Sequence, residues 1–372
     1  MVSKEASDLF ITAGAPPCIK VNGMLQPVTT TPMNAQSSQE LIYHLLTPEQ
    51  KETFEKEHEC NFSFSLGELG RFRASIYQQR DNTGMVLRRI ETEIPTLKSL
   101  GLPEVLECLA MAKRGLVIFV GATSSGKSSS LAAFVDHRNR HGNGHILTVE
   151  DPIEFLYSHK RCLVSQREVG VDTDSFQIGL RNALRQAPDM MVIGEIRSRE
   201  TMEYALEFSE TGHLCVATMH ANNANQAIER IINLLPEDRH RAVRMELALN
   251  LRAIVAQQLL PDPEGGPSHL AMEVLVNTAL VSDYIRKGQF HELKQVMSRS
   301  SDSGMKTFDQ SLFELFSQGK ISQESALEFS ESPNDLRLMI KFHKHEVRDK
   351  KAKQRAAQDP SRNPDDDMSL TR

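Results

Sequence analysis

Residues 115–128 read Gly-Leu-Val-Ile-Phe-Val-Gly-Ala-Thr-Ser-Ser-Gly-Lys-Ser in a chain of 372 residues. Within this stretch, residues 116–120 form an apolar run between two glycines, a pattern typical of a buried parallel strand. Residues 129–139, Ser-Ser-Leu-Ala-Ala-Phe-Val-Asp-His-Arg-Asn, predict a helix directly after it. The sequence therefore predicts a strand, a glycine-rich loop and a helix in succession.

This loop has the spacing of a phosphate-binding loop, or P-loop. Gly121, Gly126, Lys127 and Ser128 occupy every fixed position of the pattern G-x-x-x-x-G-K-[ST]. In that pattern the backbone N–H groups and the lysine face the phosphates, while the serine hydroxyl is a ligand for Mg²⁺. We therefore predict that the chain binds a nucleoside triphosphate and Mg²⁺; the family resemblance given below implies that the triphosphate is ATP. The predicted binding residues are Gly121, Ala122, Thr123, Ser124, Ser125, Gly126, Lys127, Ser128 and Ser129.

Acidic residues follow two further predicted strands. Residues 145–149 lead into Glu150-Asp-Pro-Ile-Glu154, and residues 190–194 lead into Glu195. Open α/β sheets place their chemistry at the carboxyl ends of parallel strands. An apolar strand that ends in an acidic residue is typical of a Walker B element, so Glu195 could hold the water shell of magnesium or orient the attacking water. The alternative is a glutamate that is merely solvated.

A fourth predicted strand, residues 211–221, has a histidine near each end. His213 and His220 are seven residues apart, so on a regular strand their side chains would lie on opposite faces and could not ligate one metal ion. We expect instead that His220 senses the γ-phosphate or a neighbouring subunit. The five cysteines of the chain form no C-x-x-C pair and predict neither a disulfide framework nor a zinc site.

Residues 1–91 predict a small α+β domain. Its predicted strands are residues 8–11, 18–23, 60–66, 70–79 and 84–90, and its predicted helices are residues 36–46 and 47–58. The last two strands carry five arginines within nineteen residues, namely Arg71, Arg73, Arg80, Arg88 and Arg89. A single arginine on a solvated strand face usually has no special role. Five beside a nucleotide-binding domain indicate guanidinium groups that stabilise charge on a γ-phosphate.

The rest of the chain alternates between strands and helices and then becomes helical. Residues 92–103 form a proline-containing linker, and residues 104–278 have the alternation that is typical of a parallel sheet flanked by helices. Residues 279–344 predict a helical C-terminal subdomain, and residues 345–372 predict a disordered charged tail. The elements predicted after the fourth strand are helices at residues 225–235 and 239–259 and a strand at residues 270–276.

The composition is that of an ordinary globular protein. Its 43 basic and 49 acidic residues give a net charge of −6, which provides no overall basic field for nucleic acid. No apolar run approaches the roughly 20 residues of a membrane span, and the N-terminus lacks the apolar core of a secretory signal. We expect a cytoplasmic protein with no transmembrane segment and no nucleic-acid partner.

Four motifs in this order resemble the secretion and pilus ATPase superfamily, and specifically the type IV pilus retraction ATPases of the PilT/PilU family. They are Walker A at Gly121–Ser128, the Asp box at Val149–Phe155, Walker B at Leu184–Arg197 and the His box at Thr211–His220. The resemblance covers roughly residues 5–343. PilT motors carry Ala-Ile-Arg-Asn-Leu-Ile-Arg-Glu where this chain reads Ala279-Leu-Val-Ser-Asp-Tyr-Ile-Arg-Lys-Gly288. This departure favours the PilU branch.

The resemblance implies an α/β fold: a PAS-like α+β N-terminal domain, then a RecA-like P-loop ATPase domain with a helical C-terminal subdomain, assembled into a homohexamer. It implies that the lysine binds phosphate, that two glutamates position magnesium and the attacking water, that a histidine is the sensor and that two arginines contact the γ-phosphate. The implied catalytic residues are Glu195, Glu154, Lys127, His220, Arg80 and Arg88. The implied metal ligands are Ser128, Glu195 and Glu154.

The function that the resemblance implies is an ATP-hydrolysing motor of pilus retraction, which drives twitching motility, at the cytoplasmic side of the inner membrane. Its implied partners are a PilT-like retraction ATPase and the inner-membrane platform protein of the pilus. Two alternatives stay open. One is another motor of the superfamily, for secretion or pilus extension, which loss of pili after gene deletion would favour. The other is a nucleotide-binding accessory subunit that couples to the true retraction motor.

Overall fold

The structure is a computed structural model that describes residues 1–21, 23–90, 92–263 and 265–344. The predicted tail, residues 345–372, lies outside the described residues. The chain forms two compact units, which we call unit 1 and unit 2. Unit 1 contains Met1–Leu102, Leu106–Leu116 and Ser128–Thr218. Unit 2 contains Pro103–Val105, Val117–Lys127 and the described residues from Met219 onward.

The N-terminal sheet of unit 1 is antiparallel throughout. Its strands are β1 (Asp8–Ile11), β2 (Cys18–Val21), β3 (Met24–Pro27), β4 (Glu59–Ser65), β5 (Arg71–Gln79) and β6 (Asn82–Arg89), in the order β3-β2-β1-β6-β5-β4. Helices α1 (Ala35–Tyr43) and α2 (Pro48–Glu57) supply Ile42 and Phe54 to the core of this sheet. The predicted α+β architecture of this region is confirmed.

Strand β5 separates an apolar face from a basic face. Its side chains alternate in burial, so that Phe72, Ala74 and Ile76 enter the core while Arg71 and Arg73 lie on the other face. The strand is joined to β6 by a two-residue turn in which Arg80 has a φ of 46° and the following residue a φ of 58°. Two successive residues of positive φ are the mark of a type I′ hairpin. Arg80 therefore lies at the tip of the hairpin.

The central sheet has seven strands. They are β7 (Gly115–Gly121), β8 (Gly144–Glu150), β9 (Cys162–Glu168), β10 (Met190–Ile193), β11 (Leu214–Met219), β12 (Leu251–Leu260) and β13 (His269–Val276), in the order β13-β12-β7-β11-β10-β8-β9. Strands β8, β9, β10 and β11 pair in parallel in unit 1, whereas β12 and β13 pair antiparallel in unit 2. Every residue of β7, β10 and β11 is buried, as expected for strands covered on both faces.

Helices follow or flank these strands. They are α3 (Val105–Ala110), α4 (Lys127–His141), α5 (Phe176–Ala183), α6 (Arg199–Glu210), α7 (Ala224–Asn233), α8 (His240–Asn250), α9 (Ala279–Lys287), α10 (Leu293–Arg299), α11 (Phe308–Ser317) and α12 (Gln323–Glu328), and residues 333–344 are also helical. The helical character predicted for residues 279–344 is confirmed. None of the helices in the described part of the chain is both long and apolar enough to cross a bilayer.

One predicted element is wrong. The sequence predicted a single helix over residues 239–259, but α8 ends at Asn250 and the next ten residues form strand β12. Residues 253–257 of β12 are all buried, and the apolar run Ala253-Ile-Val-Ala256 has no periodicity that distinguishes a buried strand from a buried helix. Eight residues of β12 pair with β13, and this long-range pairing determines the outcome.

A capping box begins helix α2 and predicts a measurable local effect. The Thr47 hydroxyl accepts a hydrogen bond from Gln50 N at 3.2 Å, and Thr47 N donates to Gln50 Oε1 at 2.9 Å. We expect Thr47→Ala to destabilise α2 by about 1 kcal/mol, so that its amides exchange hydrogen about fivefold faster by mass spectrometry. Thr53→Ala, in the exposed middle of the same helix, should leave exchange unchanged. Equal exchange in the two variants would contradict the role of the cap.

Candidate functional site

The P-loop has a backbone conformation that requires glycine. Gly121 has a φ of 156° and Gly126 a φ of 87°, and between them Ser124 has a φ of 63°. A Cβ atom at Gly121 would collide with Ser125 Oγ and lie 2.5 Å from the carbonyl oxygen of Gln257. No residue with a Cβ atom fits at position 121 without displacing its neighbours. We call this turn, in which the backbone is left uncovered by a side chain at Gly121, the P-loop cradle.

Polar groups converge on this cradle in unit 2. Lys127 Nζ donates hydrogen bonds to the carbonyl oxygens of Gly121 at 2.8 Å and Ala122 at 2.7 Å. Ser125 Oγ is buried without a hydrogen-bond partner among the described residues. The Lys127 ammonium group and the Ser125 hydroxyl can both donate hydrogen bonds to phosphate oxygens. A phosphate chain bound in this turn would therefore supply the partner that the Ser125 hydroxyl lacks.

In unit 1, several predicted site residues line one cavity of about 310 Å³, which we call the arginine cavity. Ser128 and Ser129 lie at the start of α4, Glu154 lies in the loop after β8, and Arg88 lies on β6. The complete lining is Ser7, Arg73, Arg88, Arg89, Ile90, Ser128, Ser129, Ile153, Glu154 and Phe155. The structure thus brings four predicted residues together with two further arginines.

Two arginines of the cavity, Arg73 and Arg88, are paired with carboxylates. Arg73 Nη1 lies 3.7 Å from Glu154 Oε1, and Arg88 Nε donates to Asp8 Oδ1 at 2.8 Å. Burial alone would raise the pKa of Asp8, but hydrogen bonds from Arg88 and Ser7 outweigh burial and lower that pKa. Asp8 therefore stays ionised and keeps its hold on Arg88.

Arg80 is not part of the arginine cavity. It lies at the hairpin tip, seven residues beyond Arg73 on the same chain segment, which corresponds to about 23 Å along an extended strand. Asn82 Nδ2 donates to the carbonyl oxygen of Arg80 at 2.7 Å and stabilises the turn. The γ-phosphate role of Arg80 stays a prediction.

The predicted Walker B and His box residues lie just beyond the ends of β10 and β11. In unit 1, Glu195 Oε2 accepts from Arg197 Nε at 2.6 Å and lies 2.5 Å from Arg197 Nη2. The hydrogen bond that Arg197 donates to this carboxylate raises the pKa of Arg197. In unit 2, His220 directly follows β11 and is half-buried. The roles predicted for Glu195 and His220 stay predictions.

A buried glutamate anchors the loop that carries Glu154. Glu150 Oε1 accepts from Thr148 Oγ1 at 2.7 Å and from Gln166 Nε2 at 3.2 Å, and burial raises the pKa of Glu150 to about 7 despite these bonds. Gln166 also donates to the carbonyl oxygen of Phe155 at 2.9 Å and fixes the same loop. The sequence showed the acidic segment at residues 150–154, but not that the first carboxyl group of this segment is buried.

Comparison with known proteins identifies the family. The family described as "Type II/IV secretion system protein" matches residues 1–300. The chain belongs to this family. It is 58% identical over 342 residues to the type IV pilus ATPase PilU of Pseudomonas aeruginosa, covering 92% of this chain and 90% of that protein. It is 37% identical over 330 residues to the type IV pilus retractation ATPase PilT of the same organism, covering 89% of this chain and 96% of that protein.

A solved structure supports the same branch of the Type II/IV secretion system family. The crystal structure of the pilus retraction motor PilT with bound ADP has a TM-score of 0.84 and 38% identity, covering 90% of this chain and 96% of that one. The chain is a member of the PilT/PilU group within the family, as its four motifs predicted. The predicted fold class is confirmed, whereas the domain boundaries at residues 91, 103, 278 and 344 stay predictions.

The buried Glu150 predicts a pH dependence. Because its pKa in the folded chain is raised from 4.5 to about 7, its stabilisation is present below pH 4.5 and is lost as the pH rises through 7. At full titration the loss is about 3 kcal/mol. Glu150→Gln keeps a neutral side chain of the same shape, so we expect its melting temperature to fall less between pH 5 and pH 8 than that of the wild type.

Calorimetry at the two pH values checks this expectation. The exposed Glu55→Gln on α2 is the matched control and should keep the dependence of the wild type. Glu273, whose pKa burial also raises to about 7, contributes equally in both variants. An identical fall in melting temperature for Glu150→Gln and Glu55→Gln would show that Glu150 does not titrate in this range.

Proposed function

We propose that this chain hydrolyses ATP to ADP and phosphate and acts as a hexameric motor of type IV pilus retraction. The observation that carries the proposal is the P-loop cradle. It leaves no room for a side chain at Gly121, and the Lys127 ammonium group and the buried Ser125 hydroxyl both lie beside this residue. Membership of the PilT/PilU group supports it, because the relatives are named as pilus ATPases and the PilT structure contains ADP.

Each group of the site has a proposed part in hydrolysis. Lys127 binds phosphate oxygens, and Ser128 with Glu154 and Glu195 holds Mg²⁺, directly or through water. When bound, Mg²⁺ neutralises charge on the phosphate oxygens. Glu195 orients the attacking water and accepts its proton. His220 responds to the presence of the γ-phosphate.

The arginines of the N-terminal sheet have a proposed electrostatic part. Arg88 lies in the same cavity as Ser128 and Glu154, where a guanidinium group can stabilise charge that develops on the γ-phosphate. Arg80 lies far along the hairpin from this cavity, so its proposed role requires the site of a neighbouring subunit in the ring. In this proposal nucleotide draws the arginine-bearing sheet towards the P-loop helix, and hydrolysis releases it.

The proposed cellular role follows from the family. A ring that passes this closure from subunit to subunit would move the inner-membrane platform of the pilus and withdraw pilus subunits, with a PilT-like ATPase as partner. We place the ring in the cytoplasm at the pilus base. The chain's departure from the PilT motif at Ala279–Gly288 favours one second candidate, a nucleotide-binding accessory subunit that couples to a PilT-like motor. Pilus retraction that survives loss of the P-loop lysine, while that motor is active, would select this candidate.

Lys127→Ala tests nucleotide binding. We expect at least a tenfold loss of affinity for ATP, because the ammonium group that faces the phosphates is removed. Binding of a fluorescent ATP analogue to the purified protein measures this loss. Lys113→Ala removes an exposed lysine just before β7 and should leave affinity unchanged. Equal affinity in the two variants would show that the loop does not bind triphosphate through Lys127.

Glu195→Gln tests the hydrolytic step separately. We expect ATP binding to stay within about threefold of the wild type while phosphate release slows at least about 100-fold, because an amide cannot accept the proton of the attacking water. Glu203→Gln, which removes a surface ion pair with Arg199 on α6, is the control and should hydrolyse normally. Phosphate release by Glu195→Gln at the rate of the control would remove Glu195 from the catalytic set.

A further inference from the structure

A buried carboxylate in unit 1 accepts hydrogen bonds from two distant parts of the chain. Glu168, at the end of β9, is only 3% exposed. Its Oε1 accepts from Ser63 Oγ at 2.6 Å, and its Oε2 accepts from Arg71 Nη2 at 3.1 Å and from Ile153 N at 3.4 Å. Ser63 and Arg71 belong to neighbouring strands of the N-terminal sheet, whereas Ile153 belongs to the loop after β8.

These contacts fix geometry more than they add stability. Removing a carboxylate from water is costly, and its pairing with a partly buried arginine roughly compensates that cost. The hydrogen bonding of the Arg71 guanidinium group is also incomplete, because its Nε is buried without a hydrogen-bond partner among the described residues. A single N–H···O contact is weaker than the paired contacts of a bidentate arginine. Replacing Glu168 by the neutral Gln of the same shape removes the buried charge together with the pair, whereas removing Arg71 alone leaves that charge buried without its partner.

The contacts of Glu168 lie beside two walls of the arginine cavity, which are strand β5 with Arg73 and the loop after β8 with Glu154. Arg71 is two residues before Arg73 on β5, so both side chains lie on the same face of the strand. Ile153 directly precedes Glu154 in the loop. One carboxylate oxygen, Oε2 of Glu168, thus holds the strand that carries Arg73 and the loop that carries Glu154. Between this strand and this loop, Arg73 Nη1 and Glu154 Oε1 are 3.7 Å apart.

We propose that Glu168 is a positioning residue for ATP hydrolysis: through Arg71 and the Ile153 amide it holds the arginine-bearing strand β5 against the loop of Glu154. The inference rests on the proposed function and adds a residue that none of the four motifs contains. Glu168 does not itself line the arginine cavity, but it contacts Ile153, which does. Its loss leaves the P-loop intact but lets the two walls of the arginine cavity separate, which misplaces charge at the moment of phosphoryl transfer.

Glu168→Gln and Arg71→Gln, alone and together, test this proposal. We expect each single variant to lower kcat for ATP hydrolysis about tenfold with KM within about threefold, because binding at the P-loop is retained. The double variant should lose about tenfold rather than a hundredfold, because the two groups act as one contact. Glu203→Gln is the control for removing an ion-paired glutamate and should keep the wild-type kcat.

Hydrogen exchange provides a readout that does not depend on activity. Exchange at residues 151–155 should rise in Glu168→Gln without nucleotide, while exchange in α4 and the melting temperature stay close to the wild type. Should Glu168→Gln fail to fold, Ser63→Ala and Arg71→Gln test the same contacts from the N-terminal sheet.

Three results would each overturn the proposal: wild-type kcat in the single variants, losses of kcat that multiply in the double variant, or a fall in melting temperature large enough to explain the loss of kcat. Absence of hydrolysis in the wild type would instead overturn the proposed function, and exchange at residues 151–155 would still decide whether Glu168 positions the loop.

Discussion

The site depends on a turn in which backbone must approach phosphate oxygens with no side chain in between. Any Cβ at Gly121 would press on Ser125 and on the backbone of Gln257, so the two sides of the loop stay close only because that position is glycine. The same turn lets Lys127 reach back to two carbonyl oxygens of its own loop. Phosphate oxygens carry full negative charge and form stronger hydrogen bonds with an ammonium group than carbonyl oxygens do. The lysine is therefore held in place by contacts that a triphosphate can replace.

Burial gives three glutamates of unit 1 different chemical environments. Glu150 is enclosed among neutral donors, so its proton is retained up to a pKa of about 7. Glu168 is equally enclosed, but the guanidinium group of Arg71 supplies an opposite charge. Glu154 is half exposed and opens into the arginine cavity. Of the three, only Glu154 lines the arginine cavity, and the other two contact residues that position the loop on which it lies.

The sequence predicted the features that depend on local pattern. The P-loop, the parallel strands with acidic ends and the α+β N-terminal region follow from spacing and periodicity over short stretches. Strand β12 was mistaken for helix because its buried run lacks a period, and only pairing with β13 distinguishes the two. The contact of Arg71 with Glu168 joins residues 97 positions apart, and no local pattern reports such a pair. For the same reason the sequence grouped Arg80 with Arg88, although the hairpin separates them along β5 and β6.

The pairing of Arg88 with Asp8 sets the energetic condition for closure in the proposed mechanism. The Arg88 side chain is 57% exposed but Asp8 is only 5% exposed, so releasing Arg88 leaves a buried carboxylate without its charge partner and costs more than the roughly 0–1 kcal/mol of a fully exposed pair. In the proposed mechanism a triphosphate presents several negative charges to the same group and so compensates the loss of Asp8 as its partner. Because the hydrogen bond from Arg88 offsets the burial of Asp8 and lowers the pKa of that carboxyl group, Asp8 favours the return of Arg88 once the phosphate charge is gone. An exposed arginine that alternates between a buried carboxylate and a nucleotide can follow the hydrolysis cycle without unfolding either partner.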